Sequence, residues 1–275
     1  MQKLKMYCVT IHDNHINLIK DLGYYPVGLG KEIKSREFIR DNTQINISDK
    51  NPFYGEYTFH YWLWKNNIIK SDDSWIGFCQ YRKFWALAKE NTEIKNFKDL
   101  NDIILKKIPE EYADSESILG EPLYVNQFKL SKFIKQNLIT MLKKPILFFD
   151  KKKRNLRFHF DMMHGHGNLT KAINLLDEKE KDDFKVFLEK SVSFNPHNMF
   201  ICKSKEKLNL YYNSLFPWLE RCESEFGFNL KGYGFKRIYG FLAERYLSYW
   251  FQKYTKFKLM PIVFKDISDF KNFRD

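Results

Sequence analysis

The chain has 275 residues, of which 44% are hydrophobic and 17% aromatic, and its formal net charge is +12. That length suits one large α/β domain with a sizeable aromatic core. No run of about 18 apolar residues exists, which excludes a membrane-spanning helix, and four scattered cysteines without C-x-x-C spacing exclude a zinc ribbon or redox motif.

Met6 to Ile11 reads as a first buried strand ending in the polar run His12 to His15. The residues before it lack an apolar stretch long enough for a signal peptide. A loop punctuated by Gly23, Pro26, Gly28 and Gly30 follows, and a polar segment covers Asp41 to Lys50. Asn51-Pro52 is a helix start, since Asn caps free amides and Pro suits the first turn. The helix from Pro52 to about Lys65 carries Phe53, Tyr57, Tyr61 and Trp64 at helical spacing. Trp75 to Gln80 is a second buried strand. Helical patterning covers Asp99 to Lys107, Leu123 to Val125 is a short strand, Ser131 to Leu142 is helical and Pro145 to Phe149 is an apolar strand.

The second half is richer in helix. Leu169 to Leu176 and Asp182 to Glu189 are expected helices, and Met199 to Cys202 is a strand. Ser204 caps a long helix to about Cys222, which Pro217 should kink or divide. A last helix runs from about Arg237 to Gln252, and Leu259 to Val263 adds a strand. Neither a repeat nor a linker interrupts the pattern, so one continuous α/β domain with a helix-rich C-terminal half is expected. Cys8, Cys79 and Cys202 lie in apolar runs, as reduced core residues of a cytosolic protein do.

Six stretches carry candidate chemistry. Cys79-Gln80-Tyr81-Arg82-Lys83 ends a buried strand, and open α/β sheets bind ligands at the carboxyl ends of strands. Arg grips phosphate bidentately and Lys adds a point charge, although both are also ordinary surface residues beyond a strand. The turn from Asp41 to Ser48, with Asn51 and Glu56, can bond a base or ribose; capping and a structural salt bridge are the plainer alternative. His159 and Asp161 to Asn168, with His164 and His166 beside glycines, suggest a mobile loop whose imidazoles reach a ligand. His-x-His offers two metal ligands where a metal wants three or four. Glu244 beside Arg245 on an apolar helix is either a base or a structural partner of Arg237 or Arg82. Asn195 to Asn198 lines an acceptor pocket or merely turns the chain. The basic run Lys151 to Arg154 is an exposed loop or a contact for anionic lipid.

The positive balance favours an anionic partner, though a coding bias toward Lys, Asn and Phe yields the same count. A nucleic-acid-binding protein would interleave basic residues with exposed aromatics. Most aromatics here fall at core spacing, so no nucleic-acid partner is expected. Another sugar-phosphate or phosphoryl transferase remains open, weakened by the lack of Walker and G-x-G-x-x-G loops.

In chain order, Val9-Thr10-Ile11-His12, Asp41-Asn42-Thr43 with Asn46 to Asn51, Glu56-Tyr57-Thr58 running on to Asn66, Gly77 to Trp85, Asn198 to Ile201, and Arg237 to Arg245 form an ordered set. That set resembles the bacterial capsular and exopolysaccharide glycosyltransferases grouped as domain of unknown function 4422. The departures are Gln80 for the family's His, Lys83 for its second Arg, and Gln44-Ile45 for its Gly-Asp.

The resemblance implies a GT-A-like nucleotide-binding mixed sheet flanked by helices, with residues 1–150 on the nucleotide-sugar side and 151–275 on the acceptor side. It implies sugar transfer from a nucleoside-diphosphate donor, with UDP expected, to a hydroxyl of a growing surface glycan or lipid-linked glycan. Thr10, His12, Asp41, Asn46, Ser48, Asn51, Glu56 and Gln80 would meet the donor. Arg82 and Lys83 would stabilise the leaving diphosphate, and Glu244, His164 and Asp161 are the candidate bases. His166, Asn198, Arg237 and Arg245 would contact acceptor or diphosphate. Such folds often hold a divalent metal on Asp-x-Asp, and this chain reads Gln80-Tyr81-Arg82-Lys83 there. Cations in place of a metal are therefore expected, with no cofactor required and Mn2+ or Mg2+ as the alternative. The expected location is cytoplasmic, with peripheral contact to the anionic inner face of the membrane.

Overall fold

The computed structural model describes residues 2–70, 75–87, 93–127 and 154–270. The chain opens with β1 (Gln2–Thr10), α1 (Ile16–Asp21), β2 (Tyr25–Gly28) and β3 (Ile39–Arg40). Helices α2 (Asn51–Tyr54) and α3 (Tyr57–Lys65) lead to β4 (Trp75–Gln80), β5 (Lys83–Trp85), α4 (Phe97–Ile103) and β6 (Lys107–Ile108). Strands β7 (Ser117–Gly120) and β8 (Leu123–Tyr124) precede α5 (Leu156–His164), α6 (Asn168–Asn174) and α7 (Glu178–Lys190). The chain continues through β9 (Ser193–Phe194), β10 (Phe200–Cys202), α8 (Lys205–Phe226), α9 (Tyr233–Lys236), α10 (Ile238–Tyr254), β11 (Phe257–Met260) and β12 (Ile262–Phe264). The expected helix at Ser131 to Leu142, the strand at Pro145 to Phe149 and Lys151 to Lys153 lie outside the described residues.

The main sheet is mixed, in the order β11-β7-β10-β4-β1-β2-β3. β1 is parallel to both β2 and β4, whereas β10 runs antiparallel to β4. From Met6 to Thr10 every residue of β1 is buried. That run is what a strand covered on both faces requires. Alternation divides it: Tyr7 and Val9 join an aromatic core with α3, α8 and α10, while Met6 and Cys8 pack with Trp75, Cys79 and Trp85 on the other side. All four cysteines are free and buried, and Cys8 stands opposite Cys79 in the ladder. No helix among the described residues is long and apolar enough to cross a membrane.

Several expected elements differ. Tyr25–Gly28, expected as a loop, is β2; β3 pairs only with Val27 and Gly28, so Pro26 sits where that ladder is open and proline is tolerated. The expected Pro52 to Lys65 helix breaks at Gly55, whose φ is +61°. Helix α4 starts earlier, at a capping box between Asn96 and Asp99, and ends at Ile103 so that Lys107 and Ile108 can pair with the start of β1. β7, unforeseen, fills the place between β10 and β11. Of the loop expected at Asp161 to Asn168, with His159 upstream, His159 and Asp161 to His164 belong to helix α5, whose N-terminus Asn155 caps by accepting from the Phe158 amide. α8 runs unbroken through Pro217, because the buried neighbours Phe216 and Trp218, the latter donating to the Ala172 carbonyl at 2.7 Å, hold it in place against the local cost. The expected last strand is two, β11 and β12, parted at Pro261.

Burial also sets an acid limit on stability. The His60 imidazole on α3 is wholly enclosed, its Nδ1 2.6 Å from the Tyr212 hydroxyl. Desolvation pushes it down to about 3, and His164 on α5 is pushed down to about 3 for the same main reason. Both are neutral when folded and regain an ordinary pKa near 6.5 when unfolded, so below pH 6.5 the unfolded chain binds more protons. Their contribution is intact above pH 6.5 and lost as pH falls towards 3. At pH 5 each should cost about 2 kcal/mol. Urea unfolding at pH 7.5 and pH 5.0 should show a clear fall in midpoint, and equal midpoints would refute neutral burial.

Candidate functional site

The carboxyl ends of the parallel strands β1 and β4 open into a cleft of about 430 Å3, within the range of small-molecule sites. Five segments meet there, beside Leu29 just after β2. Thr10 and Ile11 leave β1, Gln80 to Lys83 connect β4 to β5, Asn51 to Glu56 span the α2–α3 break, His197 and Asn198 precede β10, and Tyr233 to Glu244 come from α9 and the start of α10. Residues far apart in the chain thus share one surface because each lies at an element end on the same rim of the sheet.

Two carboxylates organise the cleft. Glu56 Oε1 accepts from Gln80 Nε2 at 3.2 Å and from Asn198 Nδ2 at 2.9 Å, and Oε2 accepts from Arg237 Nη2 at 3.3 Å. Its position follows from Gly55. A Cβ there would stand 2.1 Å from Arg237 Nη2 and displace the guanidinium from its present place on the carboxylate, and the φ of +61° itself favours glycine. Glu244 Oε1 accepts from the His197 amide at 2.6 Å, and Oε2 accepts from Arg245 Nη1. The turn between the carboxylates is held from both sides. His197 and Asn198 have φ of +78° and +55°, the His197 carbonyl accepts from Gln80 Nε2 at 3.0 Å, and Asn195 Nδ2 donates to the Gly120 carbonyl at 2.6 Å. Left-handed non-glycine backbone persists only where surroundings over-determine it.

Positive charge is concentrated at the same place. Lys83 Nζ donates to Gln80 Oε1 at 3.4 Å, and burial lowers its pKa while Glu56 and Glu244 oppose that shift. Burial, aided by Lys83, holds the His197 imidazole down to about 4, so it is neutral near pH 7. Arg82 is exposed, its guanidinium 4.7 Å above the Tyr81 ring. A cleft with exposed and half-buried cations beside carboxylates can bind a phosphorylated ligand and take up a proton from a hydroxyl.

Of the residues singled out from sequence, Thr10, Asn51, Glu56, Gln80, Arg82, Lys83, His197, Asn198, Arg237 and Glu244 line this cleft. The remainder do not. The Thr10 hydroxyl itself is committed to the fold, 2.8 Å from His15 Nδ1 and accepting from the His12 amide. His12 lines an adjoining groove with Asp13, Gly30 and Lys31, joined to the cleft through Ile11 and Leu29. Asp41 is 2% exposed, and burial raises its carboxyl. Asn46 accepts from both the amide and the hydroxyl of Ser48, so those two residues close their own turn. Asp161 accepts from the Gly167 amide at the end of α5. His164 is buried behind the cleft wall, its ring 4.0 Å from that of Phe241 and its Nδ1 donating to the Gly234 carbonyl at 3.0 Å. His166 is exposed beyond Gly165. Arg245 is fully buried under Glu244, over the Phe194 ring at 3.7 Å and beside His159 Nδ1 at 3.2 Å. Among the described residues no cluster of three or more His, Cys, Asp or Glu could hold a metal ion.

Sequence reasoning missed Gly55, Tyr233 and Phe241. Gly55 sits inside an otherwise helical pattern, a signal for a break. Tyr233 lies between Gly232 and Gly234, which marks a tight passage but not its place on the cleft.

Mixed sheet, flanking helices and a cleft at the carboxyl strand ends together define an α/β protein of GT-A-like fold. The chain belongs to the family described as Domain of unknown function (DUF4422), whose model matches residues 5–256. A solved structure, the WbbM bifunctional glycosyltransferase in its apo form, is similar with a TM-score of 0.66 at 20% identity. That alignment covers 96% of this chain and 45% of the other, so this chain spans less than half of that protein. At this identity the likeness is one of fold. No curated protein matches.

Proposed function

We propose that this protein is a glycosyltransferase that moves a sugar from a nucleoside-diphosphate donor to a hydroxyl of a glycan or lipid-linked glycan, with UDP as the expected nucleotide. The observation that carries the reading is the grouping of Arg82, Lys83 and Arg237 with Glu56 and Glu244 at the carboxyl ends of β1 and β4. The GT-A-like fold and the family's resemblance to capsular and exopolysaccharide enzymes support it.

In this reading the acceptor oxygen bonds to the anomeric carbon as the bond from that carbon to the diphosphate oxygen breaks. The electron pair leaves with the diphosphate, and Arg82 and Lys83 take up the developing charge. If the reaction inverts, the acceptor proton passes to Glu244, whose two oxygens each hold one hydrogen bond and keep acceptor capacity. His164 and Asp161, outside the cleft, leave Glu244 as the base we favour.

Calorimetric titration with UDP, GDP and CDP, first in EDTA and then with Mn2+, tests the reading. One nucleotide should bind in EDTA. Binding that requires Mn2+ would keep the enzyme class and overturn the cationic substitution, and no binding in either condition would count against the class. Arg82→Ala should lower turnover about 100-fold or more with an unchanged melting temperature, because the side chain is exposed. Near-normal turnover would remove Arg82 from the mechanism.

A further inference from the structure

Tyr233 is 69% exposed, yet its ring is not free to wander. Its hydroxyl accepts from Arg237 Nη1 at 3.2 Å, and its ring meets Phe241 edge-on at 5.9 Å. The backbone beneath is equally fixed. A Cβ at Gly234 would stand 2.4 Å from the Met163 carbonyl, so the short helix α9 lies directly on the end of α5. Arg237 also sets its guanidinium over the ring, 5.7 Å from the centroid. An aromatic ring anchored in this way while 69% of the residue stays exposed is a preorganised platform, and preorganisation lowers the ordering cost of binding. A ring left open to water in this way fits a ligand with one apolar face and polar edges.

The position of the ring says which ligand. Tyr233 lines the same cleft as Arg82 and Lys83, but it comes with Arg237, Phe241 and Glu244 from α9 and the start of α10, whereas the two cations come from the β4–β5 connection. A pyranose has a face of C–H bonds and a rim of hydroxyls. Its face would lie on Tyr233 while its rim meets Arg237 and Glu244, the group placed here as proton acceptor. We infer that Tyr233 is the stacking platform for the acceptor's pyranose ring and sets acceptor specificity. This rests on the glycosyltransferase reading above.

The test is binding, so it does not require the natural acceptor. Methyl pyranosides of the gluco, galacto, manno and N-acetylglucosamine series are presented to wild type, Tyr233→Phe and Tyr233→Ala in the presence of UDP, and saturation-transfer NMR reads contact. At least one glycoside should be saturated mainly on the protons of one ring face in wild type and Tyr233→Phe, with the signal at least fivefold weaker in Tyr233→Ala. Retained transfer in Tyr233→Ala, loss in Tyr233→Phe equal to that in Ala, or no transfer to any glycoside in wild type would each overturn the platform. Nucleotide titration of the same three proteins separates the two ideas. Absence of binding to UDP, GDP and CDP, in EDTA and with Mn2+, in wild type counts against the glycosyltransferase reading, whereas nucleotide binding without the expected glycoside pattern counts against Tyr233 alone.

Discussion

Replacing Glu244 by alanine is expected to lower the unfolding free energy by about 3–5 kcal/mol. The reason is Arg245. Its side chain is 2% exposed, its carboxylate partner is Glu244, and its other neighbours are the Phe194 face and a neutral His159. Burial already lowers the Arg245 pKa, with Glu244 opposing that shift. Without the carboxylate a guanidinium remains in a low-dielectric layer with no salt-bridge partner among the described residues. A second substitution, Arg245→Met, fills the same space without charge and should recover most of the loss, since buried ion pairs replaced together by apolar groups cost little. The pair of variants separates structure from chemistry. Urea unfolding should recover in Glu244→Ala/Arg245→Met, while turnover should stay down about 100-fold or more. A double variant that regains turnover as well would strip Glu244 of any role in proton transfer, and a single variant losing under about 1 kcal/mol would contradict the buried pair.

Gly55→Ala is expected to be the most damaging small substitution in the cleft. Its φ of +61° with ψ of −135° lies where L residues are strained, at about 1–3 kcal/mol. The added methyl would also collide with Arg237 Nη2 at 2.1 Å. Arg237 must then shift, and Glu56 Oε2 loses the bond that holds the carboxylate from that side. Misplacement on that scale costs about 100-fold in turnover. In an Arg237→Ala background the collision disappears and only the backbone strain remains, so adding Gly55→Ala there should affect stability but hardly change turnover further. Equal turnover losses from Gly55→Ala in both backgrounds would show that the steric account is wrong.

These expectations depend on parts of the molecule that were unequally legible in the sequence. The strand at Trp75 to Gln80 and its basic tip could be read directly, because a continuous apolar run bounded by Gln, Arg and Lys has few other meanings. Glu56 and Arg237 were each singled out, but 181 positions separate them and no local rule pairs them. Asn46 and Ser48 illustrate the opposite error. Their residue types suit a ligand as well as they suit a turn, and the structure has them bonded to each other. His164 was read as part of a mobile loop because glycines follow it, yet packing against Phe241 and Gly234 completes a helix around it. Two histidines near glycines carry no information about which side of a wall they will occupy.

By itself the sequence determined the fold class, the main strands β1, β4 and β10, the long helices α8 and α10 and the family, since hydrophobic period and ordered motifs are properties of neighbours along the chain. Only the tertiary structure decided that Gly55 breaks a helix, that Pro217 does not, that β2 and β7 are strands, and that Tyr233 lines one cleft with Arg237 and Glu244. Each of those outcomes turns on contacts between residues distant in sequence, where the burial of aromatic surface and the pairing of charges outweigh local preference.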